Sequence, residues 1–428
     1  MNVSFDVIRE MTWRGLLNQT TDEKINEFLS TQRTVYNGFD PTADSLHVGH
    51  LVAVMNLRRF QRAGHKPIAL VGGATGMIGD PSGRSSERNL QTLDQIQYNV
   101  ECIQKQLARF INFDDDAQNK AILVNNYEWT KGFSYLEFLR DIGKLFQVNV
   151  MLTKDSVKSR LDSDSGLSYT EFSYMLLQSY DFVHLHRAYG CEVQIGGSDQ
   201  WGNITAGIDL ARRMDGVQLY GLTSKLLLKS DGKKMGKSES GALWLDPEKT
   251  SPYQFYQYWI NVDDADIENA FRFFTDLNQE EANALIAEHQ ANLGKRILQK
   301  QVAKELTTLA HGQEGLQAAQ RATDIFFGAE ISQLSDAELV SIFADVPSQE
   351  FSREKLDHSE MSILDAFVAT GLAKTKSDAR RAVQQGGAYL NNRAVTDVNY
   401  FLSLNDLASE TVIILRSGKK RYALLKFV

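Results

Sequence analysis

At 428 residues, with 43% hydrophobic and 23% charged side chains, the chain has the composition of a soluble globular protein with room for two or three cored domains. No apolar run reaches membrane-spanning length, the start Met1-Asn2-Val3-Ser4-Phe5-Asp6 lacks the basic and apolar regions of a secretion signal, and Cys102 and Cys191 are too few and too isolated for a disulfide framework or a zinc site. A cytoplasmic protein is expected, and the net charge of −8 argues against a uniformly basic nucleic-acid binder without saying where the charges lie.

In chain order, Val35-Tyr36-Asn37-Gly38-Phe39 reads as a short strand and Leu51 to Phe60 as a largely apolar helix. Between them stands Asp40-Pro41-Thr42-Ala43-Asp44-Ser45-Leu46-His47-Val48-Gly49-His50. A strand-turn-helix junction aims unpaired backbone N–H groups and the positive end of the helix dipole at one point, and Gly49 lets a ligand approach the backbone. His47 and His50, three apart, share a face and can donate hydrogen bonds to phosphoryl oxygens. A buried pair of structural histidines fits the same four residues.

Further strand candidates follow at Pro67–Val71, Ala121–Val124 and Glu192–Ile195, alternating with helical stretches. That alternation predicts a parallel sheet with helical crossovers, in which ligands bind beyond the carboxyl ends of the strands. The loops after Phe39, Val71, Val124 and Ile195 then converge on one crevice. In the segment Glu171–Val183, Tyr174, Gln178 and Asp181 fall within about 60° of one another at helical spacing, and apolar or aromatic residues fill most of the remaining circumference. A helix buried nearly all round must satisfy such a stripe with a polar network or a polar ligand.

Leu226-Leu227-Leu228 reads as a strand, followed by the turn Asp231-Gly232 and the loop Lys233-Lys234-Met235-Gly236-Lys237-Ser238. Gly236-Lys237-Ser238 could close a phosphate-binding P-loop, but its first glycine would have to be residue 231, which is aspartate. A solvated lysine-rich turn is the plain alternative. Residues 249 to about 330 read as helices, with basic side chains on a surface face of Lys295–Leu306. A polar, acid-rich stretch containing Pro347 follows, and from Lys374 to Val428 ten Lys and Arg stand against four Asp and Glu. The tail is therefore +6 and residues 1–373 are −14. Arg380 and Arg381 on a helix, with Lys419-Lys420-Arg421 near the end, are candidates for a phosphate-binding face.

His47-Val48-Gly49-His50 and Lys234-Met235-Gly236-Lys237-Ser238, in this order and nearly two hundred residues apart, resemble the paired signatures of class I aminoacyl-tRNA synthetases. Tyr36–Thr42, Gly72–Gly83 and Gln194–Asn203 resemble the bacterial tyrosyl branch, and Met361–Asn392 is similar to the S4-type RNA-binding fold. The resemblance implies a Rossmann-type α/β catalytic domain at 1–225, a signature-loop region at 226–248, an α-helical domain at 249–335, a linker at 336–358 and a small α+β S4-like domain at 359–428. It implies a tyrosine–tRNA ligase that joins L-tyrosine to ATP and then transfers the tyrosyl group to tRNA(Tyr), with Mg²⁺ arriving on ATP, no structural metal and a homodimer.

Carried over residue by residue, the resemblance implies that Tyr36 and Asp181 bracket the phenol hydroxyl and that Asp80, Tyr174 and Gln178 hold the ammonium group. Asn126, Gln194 and Gln200 complete that pocket. Thr42, His47 and His50 face the phosphates, Gly38, Asp40, Gly49 and Asp199 hold the nucleotide, Lys234 and Lys237 close over pyrophosphate, and Arg84 and Arg88 supply further cations. A phenol both donates and accepts, so phenylalanine would leave both protein groups buried and unpaired. Asn37, Ala53 and Gly236 depart from common family residues, the first two with a modest effect expected on ATP affinity and the third with a mobile loop expected. The competing readings are a tryptophanyl relative, a small nucleotidylyltransferase with the same histidine turn, and an RNA-binding protein that keeps the scaffold without catalysis.

Overall fold

The structure is a computed structural model and describes residues 3–428 apart from 83–90, 163–165, 239–240, 330, 332–333, 344–345 and 420, and apart from the side chains of 237, 238 and 341. The chain divides into two units, Met1–Thr250 with Tyr258–Ala310, and Ser251–Gln257 with His311–Val428.

In the first unit the apolar runs become strands β2 (Thr34–Phe39), β3 (Lys66–Val71), β4 (Ile122–Asn125) and β5 (Cys191–Gly197), joined by β1 (Leu17–Thr20) and β6 (Tyr220–Ser224). The order is β1-β6-β5-β2-β3-β4, with β2 to β6 parallel and β1 antiparallel at the edge. The chain steps from β2 to β3 and β4 on one side, then returns to β5 on the other side of β2. That reversal opens a crevice between β2 and β5 at their carboxyl ends. Register places Tyr36 beside both Ile68 and Gln194.

The triplet Leu226–Leu228, read as a strand, is not one: Leu228 bridges to Lys234, and the Leu227 carbonyl accepts from the Met235 amide at 3.2 Å. The sheet strand there is β6, whose Gly221, Thr223 and Ser224 hide it from an apolar search. Gly221 is required by packing, since a Cβ would stand 2.3 Å from Ile204 Cγ2. A two-stranded hairpin, β7 (Lys237–Ser238) with β8 (Gly241–Ala242), follows.

The helix expected around Glu171–Val183 spans Tyr169–Tyr189, opened by the Ser168 side chain accepting from the Glu171 amide and closed by Gly190 at φ 62°. No residue from Glu171 to His186 is exposed, as the all-round apolar pattern predicts. Its first turn is fixed by a bidentate ion pair in which Arg160 donates to both Glu171 oxygens at 2.9 and 2.8 Å, each side chain 1% exposed, with a further bond from Arg160 to the Gly166 carbonyl at 2.8 Å.

A second anchor joins the Leu51–Ala63 helix to the helix Asp264–Phe274. Carbonyls at the end of the latter helix and just beyond it accept from arginines: Arg14 takes those of Arg272 and Thr275 at 2.6 and 2.9 Å, and Arg59 takes that of Phe273 at 2.9 Å. Arg58 and Arg62 close on the Asp276 carboxylate at 2.8 and 2.6 Å. Cations suit this end of a helix, where the unpaired carbonyls and the negative dipole end coincide.

The second unit carries a five-stranded sheet in the order β11-β10-β12-β13-β9: β9 (Ser348–Phe351), β10 (Ala388–Leu390), β11 (Arg393–Ala394), β12 (Val412–Ser417) and β13 (Arg421–Phe427). Alternation along β12 and β13 sends Ile413, Leu415, Ala423 and Leu425 toward the helices Ile363–Ala369 and Lys376–Gln384, and Val412, Ile414, Tyr422 and Leu424 toward Ile325, Leu339 and Phe343. Residues 336–358, read as a linker, therefore belong to this fold. They include β9, parallel to β13, and Leu339 and Phe343 cover a sheet face that water would otherwise reach.

The buried ion pair generates a stability prediction. Glu171→Ala leaves the Arg160 charge buried without its partner and should cost about 3–5 kcal/mol, whereas replacing both residues by apolar ones of similar volume should recover most of the loss. Urea unfolding of the three proteins measures this, and equal losses in the single and double variants would refute it.

Candidate active site

Where β2 and β5 part, a cavity of about 630 Å³ opens, lined by the loops after β2 and β5, the 169–189 helix and the lysine loop. It brings together Tyr36, Gly38, Asp40, Thr42, His47, Gly49, His50, Asp80, Tyr174, Gln178, Asp181, Gln194, Asp199, Gln200 and Lys234. Residues some two hundred positions apart in sequence thus face one space.

At the floor Asp181 is 2% exposed. Asn126 Nδ2 donates to its Oδ2 at 3.0 Å, and Trp129 Nε1 donates to its Oδ1 at 2.9 Å. Burial pushes the carboxyl up to about 7 despite these two bonds, and the charge of Asp40 adds to the rise. Asn126 does not line the cavity. It stands behind Asp181, accepting from the Ala74 amide at 2.7 Å and donating to Thr75 Oγ1 at 3.1 Å, so it positions the carboxylate from the rear. Tyr36 is 1% exposed, and among the described residues its hydroxyl has no hydrogen-bond partner; neither has Gln194 Oε1, beside it in register. Two such orphaned atoms and a carboxylate on one wall suit a small polar group on an otherwise apolar ligand.

Farther out, Gln200 Nε2 donates to Asp80 Oδ2 at 2.6 Å, Gln178 Nε2 donates to Gln200 Oε1 at 3.2 Å, and Asn203 Nδ2 donates to both glutamine oxygens at 3.1 Å. Tyr174 Oη donates to Asp40 Oδ2 at 2.9 Å, and Thr75 Oγ1 to Asp40 Oδ1 at 2.8 Å. Burial, with Asp80 next, raises the Asp199 carboxyl, while Lys234 pulls it down. The three carboxylates here, Asp40, Asp80 and Asp199, make this part of the cavity complementary to cationic and hydroxyl groups.

The histidine turn and Lys234, whose charge reaches Asp199, complete the lining. His47 Nδ1 accepts from the Gly49 amide at 3.0 Å and His50 Nδ1 from the His47 amide at 3.1 Å, with the rings stacked 4.0 Å apart. An Nδ1 that accepts carries no proton, so each ring holds its proton on Nε2 as a hydrogen-bond donor. The lysine segment is strapped across this turn: Val48 N–H donates to the Leu243 carbonyl at 2.9 Å, and Leu245 N–H to the Leu46 carbonyl at 2.8 Å.

Residues 30–328 match the family model described as tRNA synthetases class I (W and Y), and residues 338–425 that described as Tyrosine--tRNA ligase SYY-like C-terminal domain. The chain belongs to the class I tRNA synthetases (W and Y). Over 427 residues it is 55% identical to a tyrosine--tRNA ligase of Rhodopirellula baltica, covering 99% of this chain and 97% of that one. It is 47% identical to tyrosine--tRNA ligase 1 of Bacillus subtilis, over 99% of each chain. A C-terminally truncated mitochondrial tyrosyl-tRNA synthetase of Aspergillus nidulans superposes with a TM-score of 0.66 at 29% identity, covering 75% of this chain and 94% of that one. A Plasmodium falciparum tryptophanyl-tRNA synthetase shares the fold at a TM-score of 0.51 and 16% identity, covering 78% and 87%.

For this synthetase the expected site residues gather in the cavity with stated exceptions. Asn126 lies behind it, Arg84, Arg88 and Lys420 fall outside the described residues, and the Lys237 side chain does too. Arg380, Arg381, Lys419 and Arg421 are exposed on the second unit, with Arg381 paired to Asp378 and Arg421 donating to the Gly371 carbonyl at 2.9 Å. Trp129 was missed, since a lone tryptophan after β4 carries no motif. Asn37 and Ala53 line the cavity, and Asn37 Nδ2 has no partner among the described residues.

Asp181 gives a pH signature. Folded, it keeps its proton up to about pH 7, whereas unfolded it would release it near pH 4, so wild-type stability falls as pH rises through that window. The stability of Asp181→Asn relative to wild type should therefore drop by up to about 4 kcal/mol between pH 8 and pH 4. Urea unfolding across that range measures it, and a pH-independent difference would show that Asp181 titrates ordinarily.

Proposed function

We propose that this chain activates L-tyrosine with ATP, releasing pyrophosphate, and transfers the tyrosyl group from the adenylate to the 3′-terminal adenosine of tRNA(Tyr). The observation that carries the reading is the floor of the cavity, where the Tyr36 hydroxyl, unpartnered among the described residues, shares a wall with the Asp181 carboxyl group. A phenolic hydroxyl placed there accepts from one and donates to the other. A phenyl ring would leave both unpaired, and an indole would offer a donor but no acceptor.

Chemistry follows from the groups that line the cavity. Asp80, seated by Gln200, and Asp40 and Asp199 favour the ammonium group and ribose hydroxyls, holding the tyrosine carboxylate toward the histidines. That carboxylate attacks the α-phosphorus of ATP and pyrophosphate leaves, with no covalent bond to the protein. His47 and His50 donate through Nε2 to oxygens whose charge grows in the transition state, and Lys234 balances the leaving pyrophosphate. Mg²⁺ enters with ATP; among the described residues no cluster of metal-binding side chains is present. The exposed basic residues of the tail, Arg380, Arg381, Lys419 and Arg421, support contact with tRNA phosphates, and a homodimer completes the proposal.

Exchange of labelled pyrophosphate into ATP, assayed with each amino acid separately, should respond to tyrosine alone. His47→Ala should lower the rate of adenylate formation by roughly 10²–10³-fold and leave tyrosine affinity unchanged. Exchange with tryptophan instead would overturn the substrate assignment, and an unchanged single-turnover rate would remove His47 from the phosphoryl step.

A further inference from the structure

Two backbone amides of the lysine loop are held by side chains from another part of the unit. Ser230 N–H donates to Asp266 Oδ1 at 2.6 Å, and Gly236 N–H donates to Tyr258 Oη at 2.8 Å. Between these points the loop closes on itself. Lys229 N–H donates to the Lys233 carbonyl at 2.8 Å, Gly232 N–H to the Lys229 carbonyl at 2.9 Å, and Leu228 bridges to Lys234. The segment bearing Lys234 is thus a small closed hairpin hung at both ends.

Both holding groups are sheltered. Asp266 is 6% exposed, and burial, opposed by the bond from Gly236 and aided by the charge of Asp266, raises the Tyr258 hydroxyl. Neither residue lines the cavity. Gly236 sits at φ 89° with its back to Val48, where a Cβ would stand 2.7 Å from Val48 Cβ. Glycine at this position permits a close contact with the histidine turn. Asp266 is also not free to wander, since its helix ends in the arginine anchor built by Arg58, Arg59 and Arg62 of the Leu51–Ala63 helix. An unbroken series of contacts therefore runs from the helix that follows the histidines to the loop that carries Lys234.

The geometry points to Tyr258 and Asp266 as positioning residues that register the lysine loop against the histidine turn for the phosphoryl step. This inference rests on the adenylate-forming reading above. Tyrosine recognition is built on β2, β5 and the 169–189 helix, so loss of the latch leaves it intact while displacing the Lys234 ammonium from the leaving pyrophosphate.

The test uses the full chain with Tyr258→Phe, which removes only the acceptor oxygen, and the pair Asp266→Ala and Asp266→Asn, of which only the second keeps an acceptor for Ser230. Three readouts are taken: single-turnover adenylate formation, equilibrium tyrosine binding, and hydrogen exchange of the amides in residues 227–238. Tyr258→Phe and Asp266→Ala should each slow adenylate formation and speed loop exchange by roughly tenfold, with tyrosine binding within about twofold of wild type and Asp266→Asn close to wild type throughout. Wild-type protein without tyrosine-dependent exchange of pyrophosphate would overturn the functional reading itself. An active wild type with Tyr258→Phe unchanged in rate or in loop exchange would overturn the latch alone, as would Asp266→Asn behaving like Asp266→Ala.

Discussion

A carboxyl group taken out of water and held by neutral donors is costly to ionise, and Asp181 sets that condition in the catalytic unit. Its two donors come from the segment after β4, Asn126 and Trp129, and Asn126 in turn holds the Ala74 amide and Thr75 after β3. Thr75 donates to Asp40 after β2. One buried carboxyl group thus ties three successive strand ends and the 169–189 helix into a single wall, and Tyr36 completes it from β2. The helix itself is kept in place by a buried charge pair, Arg160 with Glu171.

The cavity wall mixes both signs: the carboxylates of Asp40, Asp80 and Asp199 share it with the histidine turn and with Lys234, whose charge reaches Asp199. In a desolvated cavity each such interaction is stronger than in water and requires no reorganisation as the reaction proceeds. The tautomer of both histidines follows from backbone amides that occupy Nδ1, so the donors are set before any ligand arrives.

Legibility in the sequence tracked locality. β2 to β5 and the 169–189 helix were readable because apolar runs and helical periodicity record burial directly, and the two signature loops were readable because their composition is unusual. β6 was missed because Gly221, Thr223 and Ser224 are chosen by neighbours such as Ile204, which lies well before them in sequence. Residues 336–358 looked like a linker because their acidic residues face water, while Leu339 and Phe343 serve a sheet whose strands lie some seventy residues later. Trp129 holds Asp181 by one hydrogen bond while its ring stacks on His184, and Asn126, expected in the ligand pocket, stands behind it. Such roles are properties of the assembled fold rather than of any local pattern.

The most direct measurement is a crystal structure with L-tyrosine and a non-hydrolysable ATP analogue bound. The account places the phenol hydroxyl within hydrogen-bond distance of both Tyr36 Oη and an Asp181 oxygen, with the amino group toward Asp80 and the α-phosphate before His47 and His50. A tyrosine bound with its hydroxyl away from Asp181, or with its carboxylate turned from the histidines, would contradict it.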